Sequence, residues 1–398
     1  MIWNNELTAE ERRCMEELKI RTENLLTPTL LEDESLFHRF SKARDFVIED
    51  AEPMLRKHIT WREQYKIDTF LKDYVPTEAC TKFMPYSFIG FDKEGCPIRY
   101  VDYGNADMKG LIHSIRKQDI SMFSLYTVET DLERMKDKSR ELGRLVTMTT
   151  YIFNFENLTF ANATNKGILE VLLFFAKNFQ DNYPERIKAI YFINVSFYFS
   201  LVFNVVKTVL AAALLGKIRC YGSGDDWQSA LLERIDADVL PGFLGGNRTD
   251  PDGNPRCFTV IKQLRKIPES YYLANSEKRL SRCPDANKLT VTRLSKEVCT
   301  CEVQEPGSYL EWEFETKSKD IGFAVYYKDK YSKDNKPVEV VPKQRIDTCY
   351  DPEKGFFRCD KEGTYICVFD NSYSWIYSKE LFYKIKVTAP KDVDISMN

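Results

Sequence analysis

The sequence predicts a multidomain chain: a helical module, then an α/β domain, then an all-β sandwich. Three observations carry that division. Apolar residues recur at helical spacing through the first 75 residues. From about residue 85, short β-branched and aromatic runs alternate with helical segments. From residue 289 the apolar period switches to two. At 398 residues the chain has room for two or three domains.

Taken in order, Thr8-Ala-Glu-Glu11 is a capping box, in which the Thr hydroxyl and the Glu carboxylate satisfy free N–H groups at a helix start. Residues 34–45 place Leu36, Phe37, Phe40 and Ala43 on one side, with Arg39, Lys42 and Arg44 on another. Residues 47–65 put Ala51, Leu55 and Ile59 on one stripe, with Pro53 expected in the tolerated first turn. His58 lies beside Arg56 and Lys57, so it is expected to be solvated. Ser87–Phe91, Asp92-Lys-Glu-Gly95 and Cys96–Val101 read as strand, turn, strand. A charged helix over 118–142 follows, then a strand within Val146–Phe155. Ile168, Val171, Leu172, Phe175 and Phe179 have helical spacing, and Tyr183-Pro184 ends that helix. Ile190–Val195 and Ile218–Tyr221 read as further strands, the last leading into a helix through Leu231 and Leu232. Tyr221-Gly-Ser-Gly-Asp reads as a strand-to-helix turn rather than a phosphate loop.

Asp250-Pro-Asp-Gly-Asn-Pro255 is dense in turn formers and marks a boundary. The expected divisions are a helical module over 1–75, an α/β domain over 76–250, a linker over 251–274, a β-sandwich over 275–390 and a tail over 391–398. In the sandwich Leu310, Trp312 and Phe314 alternate with Glu311, Glu313 and Glu315. Similar alternation runs through Ile321–Tyr327, Tyr365–Phe369 and Leu381–Val387.

Composition excludes several functions. Lys and Arg number 57 against 60 Asp and Glu, which lacks the basic excess of a nucleic-acid binder. The 11 cysteines show no paired spacing, and no signal sequence opens the chain, so reduced cytosolic thiols are expected. Cys299 and Cys301 have no second pair to complete a zinc site. Only three histidines are present, with no G-x-S-x-G, P-loop or H-E-x-x-H, so no catalytic residues, metal or cofactor are expected.

One segment resists an ordinary reading. From Ser196 to Lys217 the chain is apolar on nearly every helical face. A helix over Phe199–Leu215 would be roughly 25 Å long. Three environments suit it: a bilayer, the core of a large domain, or a lid over a greasy ligand. Lys207 and Asn204, on one face, are costly at a bilayer centre.

Together these segments resemble the CRAL-TRIO family of lipid-binding and lipid-transfer proteins, followed by a GOLD domain. The resemblance covers nearly the whole chain. It rests on Phe40-Ser-Lys-Ala-Arg44-Asp-Phe46 with Met54–Arg62, Gly90–Pro97, Asn182-Tyr-Pro-Glu-Arg186, the apolar run, and Pro241 with Gly245-Gly246. Thr249–Pro255 and Phe369-Asp-Asn-Ser-Tyr-Ser374 resemble the subgroup called supernatant protein factor or tocopherol-associated protein.

The resemblance implies a CRAL-TRIO α/β domain with its N-terminal helices and a jelly-roll-like GOLD sandwich. It also implies an apolar pocket under a mobile gate helix. Phe153, Phe155, Phe175, Phe192, Phe199 and Phe203 would line the pocket, with Val206 and Leu210 on the gate; an ordinary core would use the same residues. The family's head-group positions fall on Arg44, Glu185 and Lys217, suited to a phosphatidylinositol-type lipid. The alternative is an Arg44–Glu185 ion pair with Lys217 on a helix dipole. Tocopherol or squalene would need no charged partner. Asn154 and Asn157, Ser200, Leu201 and Thr208, and the apolar loop Ala211–Gly216 depart from the family pattern. The function implied is carriage of one hydrophobic ligand between membranes by a cytoplasmic protein, transiently on Golgi or endosomal surfaces. The rivals are an adaptor recruiting a protein partner through the GOLD domain and an anchor using 196–215 as a span.

Overall fold

Thr8 caps the first helix in both senses of a capping box: Glu11 N–H donates to its hydroxyl at 3.2 Å, and its own N–H donates to the Glu11 carboxylate at 2.8 Å. The helix Ala9–Thr22 packs on Leu36–Lys42 and Ile48–Gln64 through Leu18, Leu36, Phe40, Ala51 and Leu55, all fully buried. The structure is a computed structural model that describes residues 7–159, 163, 166–273, 280–329, 336–348 and 352–390. It forms two compact units, Met1–Ile267 and Pro268–Asn398.

Two details of the helical module differ from expectation. Pro53 sits inside the Ile48–Gln64 helix, beyond its first turn. His58 is buried, not solvated: it stacks on Trp61, packs on Phe40, and its Nδ1 lies 3.3 Å from the Asn182 amide oxygen. The charged neighbours Arg56 and Lys57 point elsewhere, because adjacent helical residues are about 100° apart round the axis.

The first unit is built on a five-stranded sheet. Its strands are β1 (Tyr86–Phe91), β2 (Pro97–Asp102), β3 (Thr149–Asn154), β4 (Ile187–Val195) and β5 (Ile218–Gly222), in spatial order β1-β2-β3-β4-β5. The β1–β2 hairpin is antiparallel and the remaining pairings are parallel. Parallel pairing demands crossovers. The helices Lys117–Leu142 and Lys166–Asn182 make the first two, and the apolar run makes the third. Both sheet faces are covered, as a parallel sheet requires. Ile152, Tyr191 and Ile193 pack under Leu231, Leu240, Leu244 and Ile261. Tyr151, Phe153, Ile190 and Phe192 face Leu125, Val128, Phe175 and Phe179.

Residues 251–267, expected as linker, are instead built into this first unit. Cys257 and Ile261 join the buried core. Lys262 N–H donates to the Ser87 hydroxyl at 3.1 Å, and Ile267 N–H to the Asp107 carboxylate at 2.9 Å. The Gly245-Gly246 landmark has a backbone reason: Gly245 has φ +93°, and a Cβ on Gly246 would lie 1.9 Å from the Leu240 carbonyl oxygen.

The second unit stacks two antiparallel four-stranded sheets, matching the period-two reading. With β6 (Asn287–Val291), β7 (Lys296–Val303), β8 (Ser308–Thr316), β9 (Asp320–Lys328), β10 (Val338–Asp347), β11 (Glu353–Cys359), β12 (Gly363–Asp370) and β13 (Lys379–Thr388), the orders are β10-β9-β12-β7 and β11-β8-β13-β6. Leu310, Phe314, Phe323, Phe369 and Leu381 close the core between them. The tail over 391–398 lies outside the described residues.

Candidate functional site

The apolar run is not one helix. It forms a helix Phe197–Val206, a 3-10 turn Lys207–Val209 and a short helix Ala212–Leu215. Leu210 and Ala211 between them are extended, with ψ 135° and 147°. The break has a local and a tertiary cause. Thr208 and Val209 are β-branched and weak helix formers. The Gln180 side chain then captures both sides of the break: it donates to the Val209 carbonyl at 3.0 Å and accepts from Ala211 N–H at 2.6 Å. Among the described residues, no helix is long and apolar enough to cross a membrane.

Beneath the Phe197–Val206 helix lies a cluster of phenylalanine rings. Phe153 and Phe192 are register partners on β3 and β4, with centroids 5.5 Å apart. Phe155 lies 5.4 Å from Phe192 and 4.6 Å from Phe199. Phe192 lies 5.3 Å from Phe199 and 5.7 Å from Phe203. Five of the six expected pocket phenylalanines therefore touch one another. The sixth, Phe175, shares the apolar group but makes its ring contact with Phe179 at 5.9 Å. Val206 and Leu210 are half-buried.

Burial separates this cluster from an ordinary core. Phe155 and Phe199 are buried, but Phe153, Phe175, Phe192 and Phe203 are only half-buried. At the centre of the sandwich core Phe314, Phe323 and Phe369 are almost wholly buried, with Phe357 half-buried at its margin. Phe174 and Phe197 on the covering helices are exposed.

A charged group stands at the edge of the same apolar layer, where Lys217 precedes Ile218. Lys217 Nζ lies 3.2 Å from the Glu185 carboxylate, and Lys42 Nζ lies 3.6 Å from it. Glu185 adopts φ 56°, the left-handed region that a non-glycine residue enters at a cost. Arg44 is not part of this group. It is exposed and donates to its neighbour's Ala43 carbonyl at 3.0 Å. The structure brings Glu185 together with Lys217 and Lys42, and places Arg44 on the Ala43 carbonyl instead. The left-handed residues Asp45 and Phe46 turn the chain sharply there.

The rest of the Asn182–Arg186 motif is a clasp onto the helices. Arg39 donates to the Pro184 carbonyl at 3.2 Å, and Tyr183 donates its hydroxyl to Glu129 at 2.5 Å. Asp33 takes Arg39 and Arg186, each at 2.6 Å. Burial pushes the Asp33 carboxyl up, but the Arg186 and Arg39 guanidiniums outweigh it and hold it well below the carboxylate range. Arg186 is pulled down to about 10, chiefly by burial. His58 is pushed down to about 3 by burial, with Arg62 and Arg39 adding to it.

Residues 84–246, which hold the sheet, the phenylalanine cluster, Glu185 and Lys217, match the family model described as CRAL/TRIO domain. They form a CRAL-TRIO domain. CRAL-TRIO is a lipid-binding and lipid-transfer family, which gives the half-covered phenylalanine layer a chemical context. The chain is 28% identical over 353 residues to Protein ctg-1 of Caenorhabditis elegans, covering 88% of this chain and 90% of that protein. It is 26% identical over 301 residues to Protein real-time of Aedes aegypti, covering 73% of this chain but 45% of that protein, so it spans less than half of that relative. The crystal structure of Sfh5 is similar at 14% identity and a TM-score of 0.48, over 66% of this chain and 93% of that one.

Two residues of the first unit escaped the sequence reading. Lys42 carries no signal separating it from other lysines of the helical module. Gln180 acts on backbone atoms, and residues 209–211 have no side-chain pattern that announces it.

Proposed function

We propose that this chain carries one hydrophobic ligand between the sheet and the Phe197–Val206 helix, and exchanges it at membranes without covalent chemistry. The observation that supports this most is the incomplete burial of mutually touching phenylalanines at Phe153, Phe192 and Phe203. A layer evolved only as core would close, because apolar area left in water forfeits about 25 cal/mol per Å2. An alkyl chain gains on the order of 0.8 kcal/mol per buried methylene. A bilayer offers the same gain, so selectivity must come from polar contacts.

Glu185 between Lys42 and Lys217 supplies two ammonium groups and one carboxylate at the edge of the apolar layer. That balance suits a phosphodiester with a hydroxylated head group: the lysines face phosphate and the carboxylate accepts hydroxyls. We therefore favour a phosphatidylinositol-type ligand over a tocopherol- or squalene-like one, with Lys42 rather than Arg44 completing the site. The segment Phe197–Leu215 would be the gate, hinged at Leu210–Ala211. His58 held near 3 suits structure rather than acid–base catalysis at neutral pH.

Mass spectrometry of lipids co-purifying with the full chain tests the proposal. Stoichiometric phosphatidylinositol supports it. A neutral isoprenoid keeps the carrier and removes the head-group role. A protein free of lipid that also takes up none from vesicles overturns it. A second reading draws on the separate compact unit Pro268–Asn398, here assigned as a GOLD domain: it would recruit a protein partner, with bound lipid as the signal. Loss of membrane recruitment in cells on removing 275–398, with transfer in vitro intact, favours that adaptor.

A further inference from the structure

Three consecutive large apolar residues stand in solvent on the β12–β13 loop: Trp375 is 76% exposed, Ile376 71% and Tyr377 56%. Beside them Leu294, on the β6–β7 loop, is 52% exposed. Folded domains rarely leave such a run uncovered without a use for it.

The loop is held in place rather than left loose. Asn371, fully buried, donates from its side chain to the carbonyls of Thr292 at 3.1 Å and Tyr377 at 2.9 Å, and from its backbone to Ser295 at 2.9 Å. The Ser374 hydroxyl donates to the Tyr377 carbonyl at 3.0 Å, and Leu294 N–H donates to the Ser374 carbonyl at 3.2 Å. Two loops are thus stitched into one projecting tip with its apolar side chains outward. This scaffolding lowers the ordering entropy that binding through the tip would cost.

The loops that form the tip carry charge of one sign. The loops 292–295, 317–319 and 371–378 contain Arg293, Lys317 and Lys319 and no carboxylate. Lys319 Nζ lies 4.0 Å from the Tyr377 ring centroid. The nearby acids are each shared between two cations: Asp370 between Lys296 and Lys343, Asp320 between Lys379 and Arg345, and Glu380 between Lys288 at 2.8 Å and the collar's own Lys317 at 3.4 Å. Against the tip, a cleft of about 330 Å3 is lined by Ser318, Lys319, Tyr377, Ser378 and Lys379.

We propose that this tip is a membrane-docking site of the sandwich, which inserts Trp375 and Ile376 into the interface of a bilayer rich in anionic phospholipid. Trp and Tyr favour the interface between head groups and acyl chains. Lysines held over an anionic surface each strengthen binding, and here Lys319 and Lys379 line the cleft against the tip. The charge picks the bilayer over a protein partner: an apolar tip whose collar carries more cations than acids matches a surface that is greasy below and anionic above. This site does not depend on the carrier function proposed for the CRAL-TRIO domain.

The test uses the full chain with vesicles of phosphatidylcholine alone or with about one third phosphatidylserine, part of the lipid carrying bromine on its acyl chains. Bromine quenches tryptophan at contact, and the difference between wild type and Trp375→Phe isolates Trp375 from the other four of the 5 tryptophans. The expected result is strong quenching of Trp375 only on the anionic vesicles. Lys317→Glu/Lys319→Glu should weaken binding by about 20-fold or more, at about fivefold per lysine removed. Trp375→Ala/Ile376→Ala should weaken it about tenfold or more with the circular dichroism spectrum unchanged. Vesicle binding without Trp375 quenching overturns the proposal, because another surface then docks. Equal quenching on phosphatidylcholine alone overturns the anionic part. Self-association in solution that Trp375→Ala/Ile376→Ala abolishes overturns it in favour of a second copy covering the tip.

Discussion

Truncating Phe192 to alanine separates a ligand layer from an ordinary core. Phe192 sits centrally, with ring contacts to Phe153, Phe155, Phe199 and Phe203 at 5.3–5.7 Å. A fully buried Phe→Ala change costs about 3–5 kcal/mol, part transfer and part cavity. Phe192 is half-buried, so roughly half of that, about 2 kcal/mol, is expected in the lipid-free protein. For a unit of this size that lowers the melting temperature by about 4–8 °C. Phe369→Ala in the closed sandwich core should cost the full amount and serves as the reference. The informative measurement repeats both melts with the protein saturated by phosphatidylinositol. At a hundredfold excess over Kd the ligand itself adds about 2.7 kcal/mol, and its alkyl chain occupies the volume that Phe192 vacated. The Phe192→Ala deficit should therefore shrink on loading, while the Phe369→Ala deficit stays constant. Equal losses at the two sites, unchanged by lipid, would refute the reasoning and make the layer a core.

Three further outcomes follow from the geometry. Lys217→Ala and Lys42→Ala should each reduce pickup of phosphatidylinositol about tenfold while sparing tocopherol, whereas Arg44→Ala should change neither, in a vesicle-to-protein transfer assay; parity between Arg44→Ala and Lys217→Ala would restore the family's usual pattern. Gln180→Ala removes both contacts across the Leu210–Ala211 break, so spontaneous ligand exchange should quicken by about three- to tenfold with a stability loss near 1 kcal/mol, read by stopped-flow transfer and urea unfolding. His58 is neutral in the fold down to about pH 3 but charges near pH 6.5 when unfolded, so the unfolded state binds the extra proton as pH falls between those values; stability should drop across that window by about 1.4 kcal/mol per pH unit, and His58→Gln should remove one proton's worth of that slope in urea titrations at successive pH.

Much of the architecture was legible because local chemistry and tertiary packing agree. The Thr8–Glu11 box, the Asp92–Gly95 turn and the alternation around Leu310–Phe314 each fix their element without help from elsewhere. Three of the misreadings involve a tertiary partner overriding a local signal. The apolar run looked like one helix because nothing in residues 199–215 says that Gln180 will claim the backbone of Val209 and Ala211. His58 looked solvated because Arg56 and Lys57 are charged, yet Trp61, Phe40 and Asn182 enclose it. The turn formers at 250–255 looked like a boundary, but Cys257 and Ile261, four residues apart, anchor the following segment on the sheet. Lys42 rather than Arg44 lies within reach of Glu185, and the sequence alone does not separate two cations two residues apart.

The chain contains two aromatic layers built from the same residue type and finished differently. In the sandwich Phe314, Phe323 and Phe369 meet at 4.8–5.4 Å and are buried, a sealed layer that holds two sheets together. Under the Phe197–Val206 helix the rings touch at comparable distances, yet the layer stays partly open, and the covering segment is broken at Leu210–Ala211 and pinned by one glutamine. Stability alone would favour closing it, since each extra buried ring adds about 1.5–3 kcal/mol. A site that must release its ligand needs the opposite: a cover held by a few replaceable hydrogen bonds rather than by a sealed core. On the proposed function, the open layer and the Gln180 clasp are then one adaptation, and weakening the clasp should change exchange rate far more than affinity.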